Sequence, residues 1–132
     1  MTTWMIVEDE PDLYDLLSEL ISGIGHRVIG FSSGEDALNW IEQVDKGSYP
    51  HELPELGLFD IRLPGQVSGP DIAARLRHSK VIGSMVIVIM TAYRLTPEEE
   101  TRVMDYATPD MLLYKPLPNF PEFRRRLEDL LM

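Results

Sequence analysis

At 132 residues, 44% hydrophobic and 26% charged, the chain has the length and composition of one soluble globular domain with an ordinary core. A formal charge of −10 argues against a nucleic-acid surface, which needs a basic face to neutralise phosphates. The lack of cysteine excludes disulfides, thiolate metal sites and a thiol nucleophile; no apolar run approaches the roughly 20 residues of a membrane span, no signal-peptide pattern opens the chain, and a cytoplasmic setting is expected.

Thr3 to Val7 is an apolar run of strand length that gives way abruptly to Glu8, Asp9, Glu10 and Pro11. Leu13, Leu16, Leu17, Leu20, Ile21 and Ile24 then recur at helical spacing, with Asp12 predicted as the cap and Gly23 and Gly25 as the stop. Arg27 to Phe31 reads as a second strand. Ser32 to Asp36 carries capping-box chemistry into a helix with Ala37, Leu38, Ile41 and Val44 on one face. Residues 45–56, with Gly47, Pro50 and Pro54, read as an exposed loop.

The third strand, Leu56 to Phe59, runs straight into Asp60 and then into the Pro64-Gly65 turn. Pro70 suits the first position of a helix carrying Ile72, Ala73 and Leu76. Ser84 to Met90 is apolar without alternation, as expected for a strand covered on both faces, and it stops at Thr91-Ala92-Tyr93. Thr96-Pro97-Glu98-Glu99 suits a helix N-terminus. Asp110 to Tyr114 is the fifth strand and ends at Lys115-Pro116; the last helix begins near Asn119 to Glu122, with Phe123, Leu127 and Leu130 facing inward. Strands alternating with helices predict an α/β fold with a parallel sheet and right-handed crossovers.

In a parallel sheet the carboxyl ends of all strands share one edge, where ligands bind in open α/β folds. That edge gathers Glu8 and Asp9 after strand one, Asp60 after strand three, Thr91 after strand four and Lys115 after strand five. Each has a plainer reading alone: a helix-terminal acid, a turn aspartate, a cap, a solvated lysine. Their recurrence at successive strand ends favours a shared site. Clustered carboxylates repel, and a hard divalent cation such as Mg²⁺ removes that cost while accepting a phosphate oxygen. With the cation bound, Asp60 can stay ionised and attack phosphorus, as carboxylates do in covalent catalysis. Lys115 and Thr91 would neutralise and hydrogen-bond the phosphoryl oxygens.

Val7-Glu8-Asp9-Glu10-Pro11, the Asp60 to Pro64 segment, Met90-Thr91-Ala92 and Tyr114-Lys115-Pro116 resemble the motifs of response-regulator receiver domains. The resemblance covers nearly the whole chain. It implies a flavodoxin-like, doubly wound five-stranded sheet of order 2-1-3-4-5 with five helices. It further implies that Asp60 accepts phosphate from a sensor histidine kinase or phosphotransfer protein in a Mg²⁺-dependent reaction. Asp9 and Asp60 would bind the metal directly, Glu8 through water and Arg62 through its backbone carbonyl, with Thr91 and Lys115 reporting and stabilising the phosphoryl group. Phosphorylation would alter the face of the fourth helix, fifth strand and fifth helix, where a second copy or a downstream protein would dock. Leu112 stands where the family usually has a switch aromatic, and the Gly65 to Gly69 segment is one residue longer than usual. Residues 1–132 are expected to be a receiver domain with no output domain in this sequence, either because the protein acts by binding a partner or because the sequence is part of a longer chain.

The competing reading is a Mg²⁺-dependent phosphohydrolase with an aspartate nucleophile. Such enzymes usually carry a second aspartate two residues on as general acid; here that residue is Arg62, which cannot protonate a leaving group. A flavin module is disfavoured because Glu8-Asp9-Glu10 would repel phosphate. Arg62 and Tyr93 are expected to flank the path of hydrolytic water and slow phosphate loss. His26, His51 and His78 read as solvated, Met85 and Met90 as core, and Trp40 as a helix-surface aromatic. Arg124, Arg125 and Arg126 read as an ion-paired helix face.

Overall fold

The computed structural model describes residues 2–132. The elements follow the order β1 (Thr3–Val7), α1 (Pro11–Gly23), β2 (Arg27–Phe31), α2 (Gly34–Asp45), β3 (Leu56–Asp60), α3 (Gly69–Arg77), β4 (Val86–Thr91), α4 (Pro97–Ala107), β5 (Met111–Tyr114) and α5 (Phe120–Leu130). The sheet is parallel throughout, in the order β2-β1-β3-β4-β5. Both the layout and the strand order are those expected from the sequence.

Side chains alternate across each strand, and helices cover both faces. Trp4, Ile6, Leu56, Leu58, Val88, Met90 and Leu113 pack with Leu17 and Ile21 of α1 and Phe123 and Leu127 of α5. Met5, Val7, Phe59, Ile87 and Ile89 pack on the opposite face against α2, α3 and Ala107 of α4. The same parity decides where the strand-end residues emerge. Glu8 continues the Trp4–Ile6 row, Asp60 the Leu56–Leu58 row, and Lys115 the Met111–Leu113 row, all on the α1/α5 side. Thr91 continues the Ile87–Ile89 row on the other side.

Helix starts follow their polar caps, with one correction. Glu10, not Asp12, caps α1: its carboxylate accepts the N–H groups of Asp12 and Leu13 at 3.3 and 2.8 Å. Pro11 occupies the first turn, so the acid that precedes it is the one placed to reach back over the free N–H groups. Thr96 and Glu99 form the expected capping box on α4. Ser33 caps α2 by accepting the Asp36 N–H, while Glu35 reaches across to the Gln66 N–H at 2.8 Å and ties down the lengthened loop after β3.

Trp40 is a second correction. It is buried among Phe31, Tyr49 and the α2 core rather than lying on the surface, because residues 45–56 fold back over that end of the helix. His26 is a third: it is half-buried, stacked on Trp4 with ring centroids 4.4 Å apart and hydrogen-bonded to the Thr2 hydroxyl. Met85 and Met90 are core. Arg124, Arg125 and Arg126 pair with Glu122, Glu128 and Asp129 along α5.

Of the helices, α4 is held least by burial, since Ala107 is its sole buried residue. Hydrogen bonds tether it instead. Tyr106 donates its hydroxyl to Asp71 of α3 at 2.6 Å, and Tyr114 of β5 donates to Glu100. The far end is organised by Arg77, which donates to the carbonyls of Thr108, Gly83 and Met85 and pairs with Asp110 at 2.9 Å. Thr108 itself sits in the left-handed region at φ 43°, so this carbonyl position depends on a strained cap. Hydrogen bonds to a charged group are worth roughly 1.5–3 kcal/mol, and orphaned carbonyls add a penalty. Arg77→Ala is expected to destabilise the chain by about 2 kcal/mol, read as a lower urea midpoint with an unchanged m-value; Arg77→Lys, unable to fork between carbonyls, should recover less than half.

Candidate functional site

The expected acids, amine and hydroxyl do not contribute equally. Glu8 is 1% exposed and Asp60 8%, while Asp9 is exposed to solvent. One carboxylate oxygen from each of Glu8, Asp9 and Asp60 lies within 4.8 Å of the others, a spacing at which the three can share one cation, directly or through water. Lys115 reaches in from the end of β5, its Nζ 2.5 Å from Asp60 Oδ2 and 3.1 Å from Glu8 Oε1. It is placed there by the ladder, because the Lys115 N–H donates to the Thr91 carbonyl at 2.7 Å and so extends the β4–β5 pairing by one residue.

Asp60 is held at both carboxylate oxygens. Oδ2 accepts from Lys115, and Oδ1 accepts the Arg62 N–H at 3.1 Å. The backbone just after it is pinned as well: Gly69, at the start of α3, donates to the Ile61 carbonyl at 3.1 Å. A Cβ on Gly69 would stand 2.0 Å from the Asp60 carbonyl oxygen, so only glycine admits this approach. The sequence reading noted only the length of the Gly65 to Gly69 segment and missed this packing role. The available signal was a glycine directly before the Pro70 that opens a helix.

The electrostatics follow from burial and neighbours. Burial raises the Glu8 carboxyl above its usual value, and the charge of Asp60 adds to that. The Glu10 N–H, at 3.1 Å, and the Lys115 ammonium pull it back only in part. Burial alone would lower the Lys115 ammonium, yet its bonds to Asp60 and Glu8 outweigh burial and raise it. Both shifts describe one arrangement, in which a single ammonium balances part of a crowded negative charge.

Thr91 is fully buried, and its hydroxyl accepts the Tyr93 N–H at 3.1 Å in the β4–α4 loop. The Arg62 side chain stacks on Tyr93, its guanidinium carbon 3.8 Å from the centroid of that ring. Leu112 is half-buried against the core under α2, α3 and α4. The structure therefore brings Glu8, Asp9, Asp60 and Lys115 together and leaves the Thr91 hydroxyl engaged by its own loop. Among the described residues, no helix is long and apolar enough to cross a membrane.

The family model for the response regulator receiver domain matches residues 4–127. The chain belongs to that family. It is thus a receiver domain, the phosphoacceptor module of two-component signalling, a family in which response regulators receive phosphate from histidine kinases. The transcriptional regulatory protein TcrA of Mycobacterium tuberculosis is 34% identical over 77 residues, which is 58% of this chain and 27% of TcrA. The chain thus spans about a quarter of that relative's length. The receiver domain of the sensor histidine kinase PA1611 from Pseudomonas aeruginosa, solved with magnesium in its active-site cleft, superposes with a TM-score of 0.79 at 22% identity, covering 98% of this chain and 97% of that one. The BeF3-activated receiver domain of DrrB from Thermotoga maritima gives 0.76 at 23% identity, with 99% and 97% covered. At these identities the likeness to the solved structures is one of fold.

The raised Glu8 carboxyl fixes the sign of a pH effect in the receiver domain. The folded chain holds this proton more readily than the unfolded one. Between the usual glutamate value of 4.5 and the raised folded value, stability therefore falls as pH rises. In metal-free buffer with EDTA, Glu8→Gln is expected to be more stable than the parent at about pH 7, the gap closing below 4.5. Urea unfolding at the two pH values checks this; a less stable variant at neutral pH contradicts it.

Proposed function

We propose that Asp60 is the phosphoacceptor of this receiver domain and that Mg²⁺ is its cofactor. The observation that carries the reading is the Lys115 ammonium bonded to both Asp60 and Glu8, beside an acid cluster whose oxygens lie within 4.8 Å. The donor set is all oxygen, chiefly carboxylate, which suits a hard divalent ion. Asp9 and Asp60 would hold it directly, Glu8 through water, and the Arg62 carbonyl would complete the protein's share. When bound, Mg²⁺ supplies charge neutralisation between the acids and the phosphoryl oxygens.

An Asp60 oxygen forms the new bond to phosphorus as the phosphorus–nitrogen bond of the kinase's phosphohistidine breaks. The departing imidazole nitrogen keeps that electron pair and takes up a proton from solvent. Lys115 is already oriented by Asp60 and Glu8, so its ammonium neutralises a phosphoryl oxygen without a large search. Thr91 donates its hydroxyl to another phosphoryl oxygen once the β4–α4 loop brings it within reach; the Tyr93 N–H it accepts leaves that proton free. The chain acts on its own aspartate and does not turn over a substrate pool. The phosphohydrolase reading has no general acid, since the residue two beyond Asp60 is Arg62, stacked on Tyr93.

Residues 1–132 form one receiver unit in this reading, working in the cytoplasm where its kinase or phosphotransfer protein presents phosphohistidine. Phosphorylation shifts an existing equilibrium toward a state with an altered α4–β5–α5 face. The weak apolar hold on α4 supports that choice of face. A second copy or a downstream protein reads it.

Incubation with Mg²⁺ and acetyl phosphate, followed by intact mass, tests the assignment. One added phosphoryl group is expected on the parent chain, none on Asp60→Asn, and none on the parent in EDTA. Lys115→Ala should lower the phosphorylated fraction at least tenfold, the cost of about 1.4 kcal/mol of lost stabilisation. Labelling of Asp60→Asn to the parent level would place the acceptor elsewhere.

A further inference from the structure

Two side chains beside the site repeat one local pattern. Arg62 lies two residues past Asp60 and gives its N–H to Asp60 Oδ1 at 3.1 Å. Tyr93 lies two residues past Thr91 and gives its N–H to Thr91 Oγ1, also at 3.1 Å. The Arg62 guanidinium then rests 3.8 Å from the Tyr93 ring centroid. One cation–π contact therefore joins the segment that holds the acceptor carboxylate to the segment that holds the threonine hydroxyl. Burial does not force this stack, since Arg62 is exposed and Tyr93 is 50% exposed.

The contact is placed where movement has to occur. Thr91 emerges on the α3/α4 side of the sheet and Asp60 on the α1/α5 side, so the β4–α4 loop has to carry the Thr91 hydroxyl toward a phosphoryl group on Asp60. Beside the stack lies a cleft of about 230 Å³ whose lining includes Ile61, Thr91, Leu95 and Val103. It leaves the β4–α4 loop room to rearrange. Glu99, in the first turn of α4, has its carboxyl held below the usual range chiefly by Thr96 and to a smaller extent by the charges of Arg102 and Arg62. The stack thus also sits next to the helix expected to shift.

We propose that the Arg62–Tyr93 stack is a latch on the resting state. It holds the β4–α4 loop against the β3–α3 loop and so keeps the Thr91 hydroxyl on its own side of the sheet until the loops part. The two side chains are positioning groups that act through Asp60 and Thr91 and do not touch the reacting atoms. The latch rests on the reading of Asp60 as acceptor. It differs from a water shield, which would lengthen the life of the acyl phosphate without changing the ease of reaching the activated state.

Calorimetric titration with beryllofluoride in Mg²⁺ separates these cases, because this phosphoryl mimic involves no hydrolysis step. Arg62→Gln and Tyr93→Leu are each expected to bind it about two- to fivefold more tightly than the parent, the worth of one exposed cation–π contact. The double variant should gain no more than either single, since both remove the same contact. Tyr93→Phe keeps the ring face and should match the parent. Additive gains, a Phe variant that behaves as Leu, or unchanged or weaker affinity overturns the latch; a change confined to acyl-phosphate lifetime does so in favour of the shield. A parent chain that binds no beryllofluoride overturns the phosphoacceptor reading and the latch with it.

Discussion

A single ammonium decides the state of this sheet edge. Glu8, Asp9 and Asp60 crowd their oxygens within 4.8 Å, and Lys115 is the cation that binds two of them. An ion pair this sheltered owes little to surface screening, but its members have given up hydration to form it. The geometry that makes it affordable is the β4–β5 ladder, which carries Lys115 one residue past Tyr114 and onto the same face as Asp60. Remove the ladder's last bond and the lysine loses its bearing; remove the lysine and the acids face one another. The rest of the fold, from the Gly69 contact to the Glu10 N–H on Glu8, serves to hold that arrangement.

Much of this was legible before any coordinates. Apolar runs of strand length alternate with helical stripes, and each strand ends in a chemically distinct residue, so topology alone converges them. Parity, a property of the pleat, then sorts Glu8, Asp60 and Lys115 from Thr91 once the register is known. That sorting was within reach of the sequence, because each residue extends a row of alternate core positions on its own strand.

What sequence could not show were contacts between segments without periodic signatures. Asp12 looked like the cap of α1 because it borders the apolar stripe, yet Pro11 moves the helix start and gives the role to Glu10. Trp40 departs from the stripe of Ala37, Ile41 and Val44, and it is covered only because residues 45–56 return over α2. His26 gains Trp4 as a neighbour only through the β1–β2 pairing. The Arg62–Tyr93 stack and the Arg77 bonds to Thr108 and Asp110 join residues far apart along the chain, and neither residue type announces its partner.

The manner in which α4 is attached has its own consequence. Apolar seats yield by degrees as two surfaces slide, because dispersion and hydration change smoothly with distance. A phenol on a carboxylate is directional and fades over a fraction of an ångström. With Ala107 as its sole buried residue and Tyr106 and Tyr114 as its moorings, this helix has few intermediate resting places. If this face is the one that phosphorylation alters, its outer surface would present one of two discrete shapes rather than a graded series.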